Sequence, residues 1–520
     1  MRNDSQDWRR LTHECVRCPD VDKLHSTGSE SESSKAVTAR NVQGRERIGS
    51  GKESPMLADR LSRYCQSLCY DDLPSAVVHE VKRRVLDSIG CALGAFTALP
   101  CRMTRQLAQA VKVPHGATLW GTDHRTLPDL ATFANGTLVR YLDFNDTYLA
   151  KEPAHPSDNI AAILAVGEAS RASGKRVIQA ISLAYEVQCR LCDAAALRPR
   201  GWDHVTYGPF SSALAAAKVM KLSDAQTLQA VNLAGVANIA MRQTRVGDLS
   251  MWKACAFSNA ARNGVFAAML AQRGMTGPSP IFEGEKGFMK LVSGPLDLAL
   301  FGGEKRPSEP GTFKILDTYI KHYPVEYHAQ TAVEAALALR EDLLKVEGVD
   351  ALSKITDVEI GSYDVAIEII GRDPEKWNPH TRETADHSFP YCVSVALLDG
   401  KITLHSFDFK RLTDPTLLEL MQKVRVVPQP EFVGRYPQAM PTRITVRTSG
   451  GKDYVAQVDY PLGHPKHRMS DHEVEDKFRR LTAGKLDRAR MKKVIDMVWK
   501  LDQLKDIGTV MPLLKMNRKA

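Results

Sequence analysis

Residues that can move protons or hold an anion collect in a few polar stretches of an otherwise helix-forming sequence. The first stretch, YLDFNDTY at 141–148 followed by HPSD at 155–158, places Asp143, Asp146 and His155 in a loop that Pro153 and Pro156 keep from being helical. A single Asp at such a place is usually a helix cap or a turn former. Because three such groups share one loop, and loops on rigid scaffolds carry functional residues, we interpret this stretch as part of a site.

Four further stretches contribute one or two candidate groups each. These groups are His204 in GWDH, Lys253 at the start of an Ala-rich helix, Lys321 in the polar segment 319–330, and Arg382 and Tyr391 in the segment 377–391. Taken singly, each has an ordinary interpretation as an exposed histidine, a lysine extended along the surface, a polar linker or a solvated loop. Together they are cations and neutral hydrogen-bond donors, which is the set of groups that binds a small polyanion.

The sequence favours proton transfer beside a carboxylate over acyl or phosphoryl transfer. It contains no GxSxG, no GxxxxGK[ST], and no GxGxxG between a strand and a helix. Its ten cysteines include two CxxC pairs, Cys15/Cys18 and Cys189/Cys192, without further zinc ligands at suitable spacing and without a set of three for an iron–sulfur cluster. We therefore predict reduced thiols, and chemistry without a metal or another cofactor.

The elements that must position these groups show two patterns of predicted secondary structure. A chain of 520 residues is also longer than a single hydrophobic core usually supports, so two domains are expected. Residues 56–309 repeat apolar side chains at i, i+3 and i+4, from a helix at Leu57–Leu68 to one at Lys253–Arg273. Residues 310–460 mix helices with alternating, β-branched stretches at 354–363, 423–427 and 442–458. We expect a large all-α domain, a smaller α+β domain, and helices in 461–520 that return to the first domain.

Charge and hydropathy restrict the partners. The net charge of +9 is concentrated in the tail 477–520, which has thirteen Lys/Arg and four Asp/Glu. No nucleic-acid motif accompanies this charge, and apolar residues recur at helical spacing within it, so we interpret the tail as a solvated helix. No apolar run reaches the ~18 residues of a membrane span. Residues 1–55 are expected to be a disordered leader, with no apolar segment of a secretory signal and too many acids for a mitochondrial presequence.

Six stretches taken together resemble the MmgE/PrpD family. They are LDFNDTYLAKEPAHPSDN at 142–159, WDHVTYG, KACAFSNAARNG, IKHYPVEYHAQTAVEAAL, TRETADHSFPY and, at 460–478, YPLGHPKHRMSDHEVEDKF. They occur in the family's order and cover almost everything from Met56 onward. The resemblance implies a homodimer, no metal, and a cleft between a helical and an α+β domain. It implies an active site formed by Asp143, His155, His204, Lys253, Lys321 and Tyr391.

The activity that the resemblance implies is dehydration of 2-methylcitrate or a related 2-alkylcitrate, as in propionate catabolism through the methylcitrate cycle. Decarboxylation of cis-aconitate to itaconate, dehydration of a longer alkylcitrate in a specialised biosynthetic pathway and, in another class, nucleic-acid binding stay open as alternatives. The protein is expected inside the cell, in the mitochondrion or the cytoplasm.

The expected roles in that reaction are assigned as follows. His155, oriented by Asp143 or Asp146, removes the proton, and His204 or Tyr391 protonates the leaving hydroxyl. Lys253, Lys321 and Arg382 bind the carboxylates of the substrate. Sequence alone does not fix which group is the acid and which is the base.

Overall fold

Two large buried hydrophobic clusters organise this chain, one in the helical part and one in the α+β part. The structure is a computed structural model that describes residues 56–304 and 311–517. The predicted leader, residues 1–55, lies outside these described residues. The two clusters confirm the predicted fold class, a large helical domain with a smaller α+β domain.

The helical domain is built around one Ala-rich helix. Its helices are α1 (Leu57–Ser67), α2 (Ser75–Gly94), α3 (Leu99–Gln109), α4 (Pro128–Tyr141), α5 (Ile160–Ala169), α6 (Gly174–Ala194), α7 (Gly208–Met220), α8 (Asp224–Val236) and α9 (Trp252–Gln272). Helix α9 packs against α4, α7 and α8. A Cβ added at Gly264 would lie only 2.6 Å from the carbonyl oxygen of Pro209, so the small residue lets α7 and α9 approach closely.

Two elements of this domain differ from the sequence-based expectation. Helix α3 was not predicted, and its Leu99, Met103 and Leu107 are 45–61% exposed rather than buried. A short antiparallel pair, β1 (Ala117–Thr118) with β2 (Arg125–Thr126), lies within the helical domain. Two-residue strands are too short to show an alternating pattern, which is why an all-α domain was expected here.

The α+β domain carries a four-stranded sheet in the order β4-β3-β5-β6, with one parallel pair, β3 and β4. Its strands are β3 (Ile355–Ser362), β4 (Val424–Pro428), β5 (Thr442–Thr448) and β6 (Asp453–Val458). Its helices are α10 (Ala329–Glu347), α11 (Asp364–Ile370), α12 (Arg382–Ala385), α13 (Phe389–Asp399), α14 (Phe409–Leu412) and α15 (Pro415–Gln422). Strand β5 alternates buried with half-buried residues, so one face packs inward, where α10 contacts β5 and β6. The predicted hairpin between β5 and β6 is confirmed.

The last helices, α16 (Asp471–Thr482) and α17 (Arg488–Trp499), return to the helical domain, as predicted. Both contact α2, and Phe478 belongs to the helical cluster. A Cβ added at Gly90 would lie 3.3 Å from the Cα of Phe478, and the buried Lys477 ammonium pairs with Asp87 at 2.6 Å. Among the helices in the described part of the chain, none is long and apolar enough to cross a membrane.

Candidate active site

A cavity of about 90 Å³ lies where side chains of the two domains meet. The helical domain contributes His155, His204 and the arginines Arg140, Arg198, Arg242 and Arg245 to its wall. The α+β domain contributes Glu326, His328, Lys376 and His387. Clefts of this kind, with converging polar groups, are where small molecules usually bind.

The loop after α4 brings Asp143 and Arg140 together. Asp143 has φ of +49°, in the left-handed region that Asp tolerates better than most residues. This conformation ends the helix and returns the carboxylate towards the preceding turn, where Arg140 donates to Oδ1 at 2.6 Å. The chain then pairs with the α+β side through two backbone hydrogen bonds between Thr147 and Tyr319.

Asp143 lies at the centre of a buried charge cluster. Lys321 donates to its Oδ1 at 2.7 Å, and Lys253 from α9 lies 3.2 Å from its Oδ2. His387 Nε2 is 3.2 Å from the same oxygen, while His387 Nδ1 bonds to Asp386 at 2.5 Å. Three distant segments of the sequence therefore converge on one carboxylate.

The charges of this cluster set its protonation. Burial by itself would raise the pKa of Asp143, but Arg140, Lys321 and Lys253 together hold that pKa well below its usual range. Burial lowers the pKa of Lys321, and burial with the nearby Lys253 charge lowers the pKa of His387. Asp143 is therefore ionised and His387 is neutral near pH 7.

His155 faces the cavity as a neutral imidazole. Its Nδ1 donates to the backbone carbonyl of Asp146 at 2.6 Å, so the orienting group is a carbonyl and not the expected carboxylate. The Asp146 carboxylate accepts instead from the Ser157 backbone and from the Tyr185 hydroxyl. Burial and the charges of Arg140 and Lys321 hold the pKa of His155 well below its usual range. Its Nε2 accepts from Arg140 at 3.0 Å.

His204 is the second imidazole in the cavity wall, with its ring centroid 5.9 Å from that of His155. Its Nδ1 is 3.1 Å from the carboxylate of Asp203, which Arg245 also contacts at 2.9 Å. Burial lowers the pKa of His204 to about 3. Its buried Nε2 has no hydrogen-bond partner among the residues that the structure describes. A carboxylate behind Nδ1 and an open Nε2 are the arrangement of a general base.

The structure thus brings together five residues proposed from the sequence: Asp143, His155, His204, Lys253 and Lys321. Tyr391 is set apart from them, because its buried hydroxyl donates to the carbonyl of Ser406 at 2.6 Å. Arg382 is also set apart. Its guanidinium lies over the rings of Tyr141 and Phe407, and Nη1 donates to the Leu404 carbonyl at 3.3 Å. Neither side chain is among those that line the cavity, and their expected roles in proton transfer and carboxylate binding stay predictions.

Several residues of the site were not proposed from the sequence. Arg140, Asp386, His387, Glu326 and Lys376 belong to the cluster or to the cavity wall. Asp386 and His387 stood within a polar stretch that was noted, and Arg140 precedes Asp143 by one helical turn, a spacing that permits a salt bridge. Glu326 likewise lies within the polar segment 319–330, whereas Lys376 carries no comparable local signal.

One group of side chains has the geometry of metal ligands. Oxygen and nitrogen atoms of Asp143, Asp386 and His387 all lie within 4.8 Å of one another. However, Arg140, Lys253 and Lys321 already contact these carboxylates, and three cations against two carboxylates leave one positive charge. The Lys253 ammonium lies 3.2 Å from Asp143 and 3.4 Å from Asp386, so it already neutralises the carboxylates that a metal cation would bind. This donor set fits a divalent cation poorly.

The fold and the site together define a two-domain enzyme with a cationic cleft. The profile of the MmgE/PrpD N-terminal domain matches residues 59–300, and that of the MmgE/PrpD C-terminal domain matches residues 323–501. The chain belongs to the MmgE/PrpD family.

Its relatives include two kinds of lyase. A 2-methylcitrate dehydratase of Escherichia coli K12 is 30% identical over 447 residues, covering 79% of this chain and 89% of the relative. The mitochondrial 2-methylcitrate dehydratase of Yarrowia lipolytica is 29% identical, covering 81% and 84%. A cis-aconitate decarboxylase of Mus musculus is 28% identical, covering 85% and 90%.

Proposed function

We propose that this enzyme dehydrates 2-methylcitrate or a related 2-alkylcitrate to the corresponding aconitate. The observation that carries the proposal is one cavity that combines two neutral imidazoles with a wall of cations. Dehydration of such a substrate needs a base beside a carbon that carries a carboxylate, a proton for the leaving hydroxyl, and cations for the negative charge. The family and the names of the relatives support the same reaction.

His204 is our choice for the base, in place of His155. Its Nε2 has no hydrogen-bond partner among the described residues, whereas the His155 Nε2 lone pair accepts from Arg140. The ionised Asp203 behind His204 stabilises the imidazolium that forms when the proton is taken. Burial is the main cause that lowers both histidine pKa values, and Arg140, Lys321 and Arg245 add to it; a bound tricarboxylate would offset these charges and make the imidazoles more basic in the complex than in the free enzyme.

Glu326 is our choice for the acid, because neither neutral imidazole has a proton to give at Nε2. Burial raises the pKa of Glu326, and its side chain lines the cavity. In the reaction, His204 takes the proton, and the C–H electron pair passes through the aci-carboxylate to become the new double bond. The C–O bond breaks with its electron pair on the leaving hydroxyl, and Glu326 supplies the proton that makes it water. Lys253 and Lys321 lie beside the site, where the cluster that they form with Arg140, Asp143 and Asp386 keeps one net positive charge, and this charge stabilises the aci-carboxylate that forms after proton removal.

The test is incubation of the purified enzyme with 2-methylcitrate, citrate and cis-aconitate, with products identified by mass spectrometry. Loss of water from 2-methylcitrate supports the proposal. Loss of carbon dioxide from cis-aconitate without dehydration of 2-methylcitrate would replace it with the decarboxylase alternative, which the mouse relative favours.

The roles are tested by His204→Gln and Glu326→Gln, each expected to lower kcat ~10²–10⁴-fold, the contribution of a general acid or base. His472→Gln on α16 is the matched control, since that side chain is 79% exposed and its one ion pair among the described residues is with Asp476. In D₂O, Glu326→Gln should still exchange the substrate proton, whereas His204→Gln should not. If His155→Gln abolishes exchange and His204→Gln does not, the base is His155.

A further inference from the structure

Most cations near the cavity are already neutralised by carboxylates of the chain. Arg140, Lys253 and Lys321 contact Asp143, and Lys253 also contacts Asp386. Arg245 pairs with Asp203. A substrate carboxylate that bound to any of these cations would compete with a buried partner at 2.6–3.4 Å. Lys253 and Lys321, the cations proposed from the sequence motifs, are therefore already paired with carboxylates of the chain in the absence of substrate.

Lys376 differs from them. Its side chain is 4% exposed and lines the cavity from the α+β domain. Among the described residues, its ammonium has no ion-pair or hydrogen-bond partner. Burial and the charge of nearby Lys253 lower its pKa, while Asp373, Asp386 and Glu326 oppose the shift without pairing with the ammonium and so supply only part of the compensation that buried charges usually have. An anion in the cavity would supply that compensation.

The backbone holds Lys376 in a fixed position. It ends a single 3₁₀ turn, Pro374–Lys376, and its carbonyl accepts from the Ser388 hydroxyl. The same hydroxyl caps α13 by accepting from the Tyr391 amide. Ser388 directly follows His387 of the charge cluster, so this one residue fixes the backbone of Lys376 relative to the cluster. A cation placed in this way can select a ligand by the position of its charge.

We infer that Lys376 binds one carboxylate of the substrate from the α+β side of the cleft. Arg242 is its counterpart on the helical side, since it lines the same cavity and its guanidinium has no ion pair within the described part of the chain. The inference rests on the proposed function, because it takes the ligand to be a small tricarboxylate. It makes Lys376 a determinant of specificity for substrates with a carboxylate at that position.

The experiment measures binding and not turnover. Calorimetry with tricarballylate, a tricarboxylate that lacks the leaving hydroxyl, compares the full-length enzyme with Lys376→Met, Lys376→Gln and Lys376→Arg. Loss of a charged hydrogen bond predicts an affinity about 10- to 100-fold weaker for the Met and Gln variants. Lys376→Arg should retain part of the affinity. Lys493→Met, at an exposed position of α17, should bind like the wild type.

Thermal melting serves as the folding control, and Lys376→Met should melt no lower than the wild type because a buried cation is replaced by an apolar side chain of similar length. With 2-methylcitrate, KM should rise and kcat should change little. Equal tricarballylate affinity in the wild type and in both neutral variants would overturn the inference. If the wild type binds tricarballylate through Lys376 but transforms none of the three proposed substrates, the proposed reaction fails and the inference stands.

Discussion

Replacing Asp143 with Asn tests the charge cluster most directly, because the change removes one charge and keeps the shape. Asp143 is 1% exposed and accepts from Arg140 at 2.6 Å and from Lys321 at 2.7 Å. Its other oxygen lies 3.2 Å from both Lys253 and His387. An asparagine amide can offer only one acceptor oxygen to these donors and turns two N–H bonds towards cations.

The magnitude follows from burial. Of the two carboxylates of the cluster, only Asp386 would then remain against three cations, so two positive charges would be left without compensation within the cluster where the wild type leaves one. Removing one partner of a buried ion pair costs about 3–5 kcal/mol, mostly because the other partner stays buried and unpaired. A surface pair costs at most about 1 kcal/mol.

The assay is thermal unfolding at pH 7 of Asp143→Asn beside Asp496→Asn. Asp496 is 51% exposed and pairs with Lys492 at 2.6 Å within α17, so it is the matched surface control. We expect Asp143→Asn to lower Tm by several degrees and Asp496→Asn to leave it nearly unchanged. The pKa of Asp143 is depressed in the folded state, so its stabilisation is fully present above the unfolded pKa of about 4 and is lost only as pH falls further.

The difference in Tm should therefore be the same at pH 7 and pH 5. Tricarballylate should raise the Tm of Asp143→Asn more than that of the wild type, because an anion then replaces the missing charge. If Asp143→Asn melts within a degree of the wild type at pH 7, the cluster does not stabilise the fold as its geometry implies.

Three further predictions follow from the same contacts. Burial lowers the pKa of His204 and of His328 to about 3 each, so the stability that these two histidines contribute is complete above about pH 6.5 and declines as pH falls towards 3. Tm should therefore begin to fall below pH 6.5, and His204→Gln should make Tm depend less steeply on pH in that range. Tyr391→Phe should keep most of the wild-type kcat, since the hydroxyl bonds to Ser406 outside the cavity; a loss near 10²-fold would return Tyr391 to the reaction. Exhaustive chelation should leave turnover unchanged, and activity that iron or zinc restores after chelation would refute a metal-free site.

The sequence by itself determined the classes of element and the residue types of the site. Apolar periodicity located α1 and the hairpin of β5 with β6, because each buries one face along enough residues to show its period. The loop around His155 was recognisable because prolines and charged groups interrupt that periodicity over a short stretch. Helix α3 was not predicted from the sequence, because its large apolar residues face outward.

Only the tertiary structure decided which of these residues act together. The four residues that form the charge cluster are far apart along the chain: Asp143, Lys253, Lys321 and Asp386. They meet because the end of α4, the start of α9 and the segments before α10 and α13 lie at one cleft. Tyr391 shares a motif with Asp386 and His387, but α13 directs its hydroxyl to Ser406. Lys376 carries no signal in the sequence, since a lysine before a loop is ordinary. Its burial without an ion-pair partner among the described residues arises from packing between distant elements, and local sequence does not encode that packing.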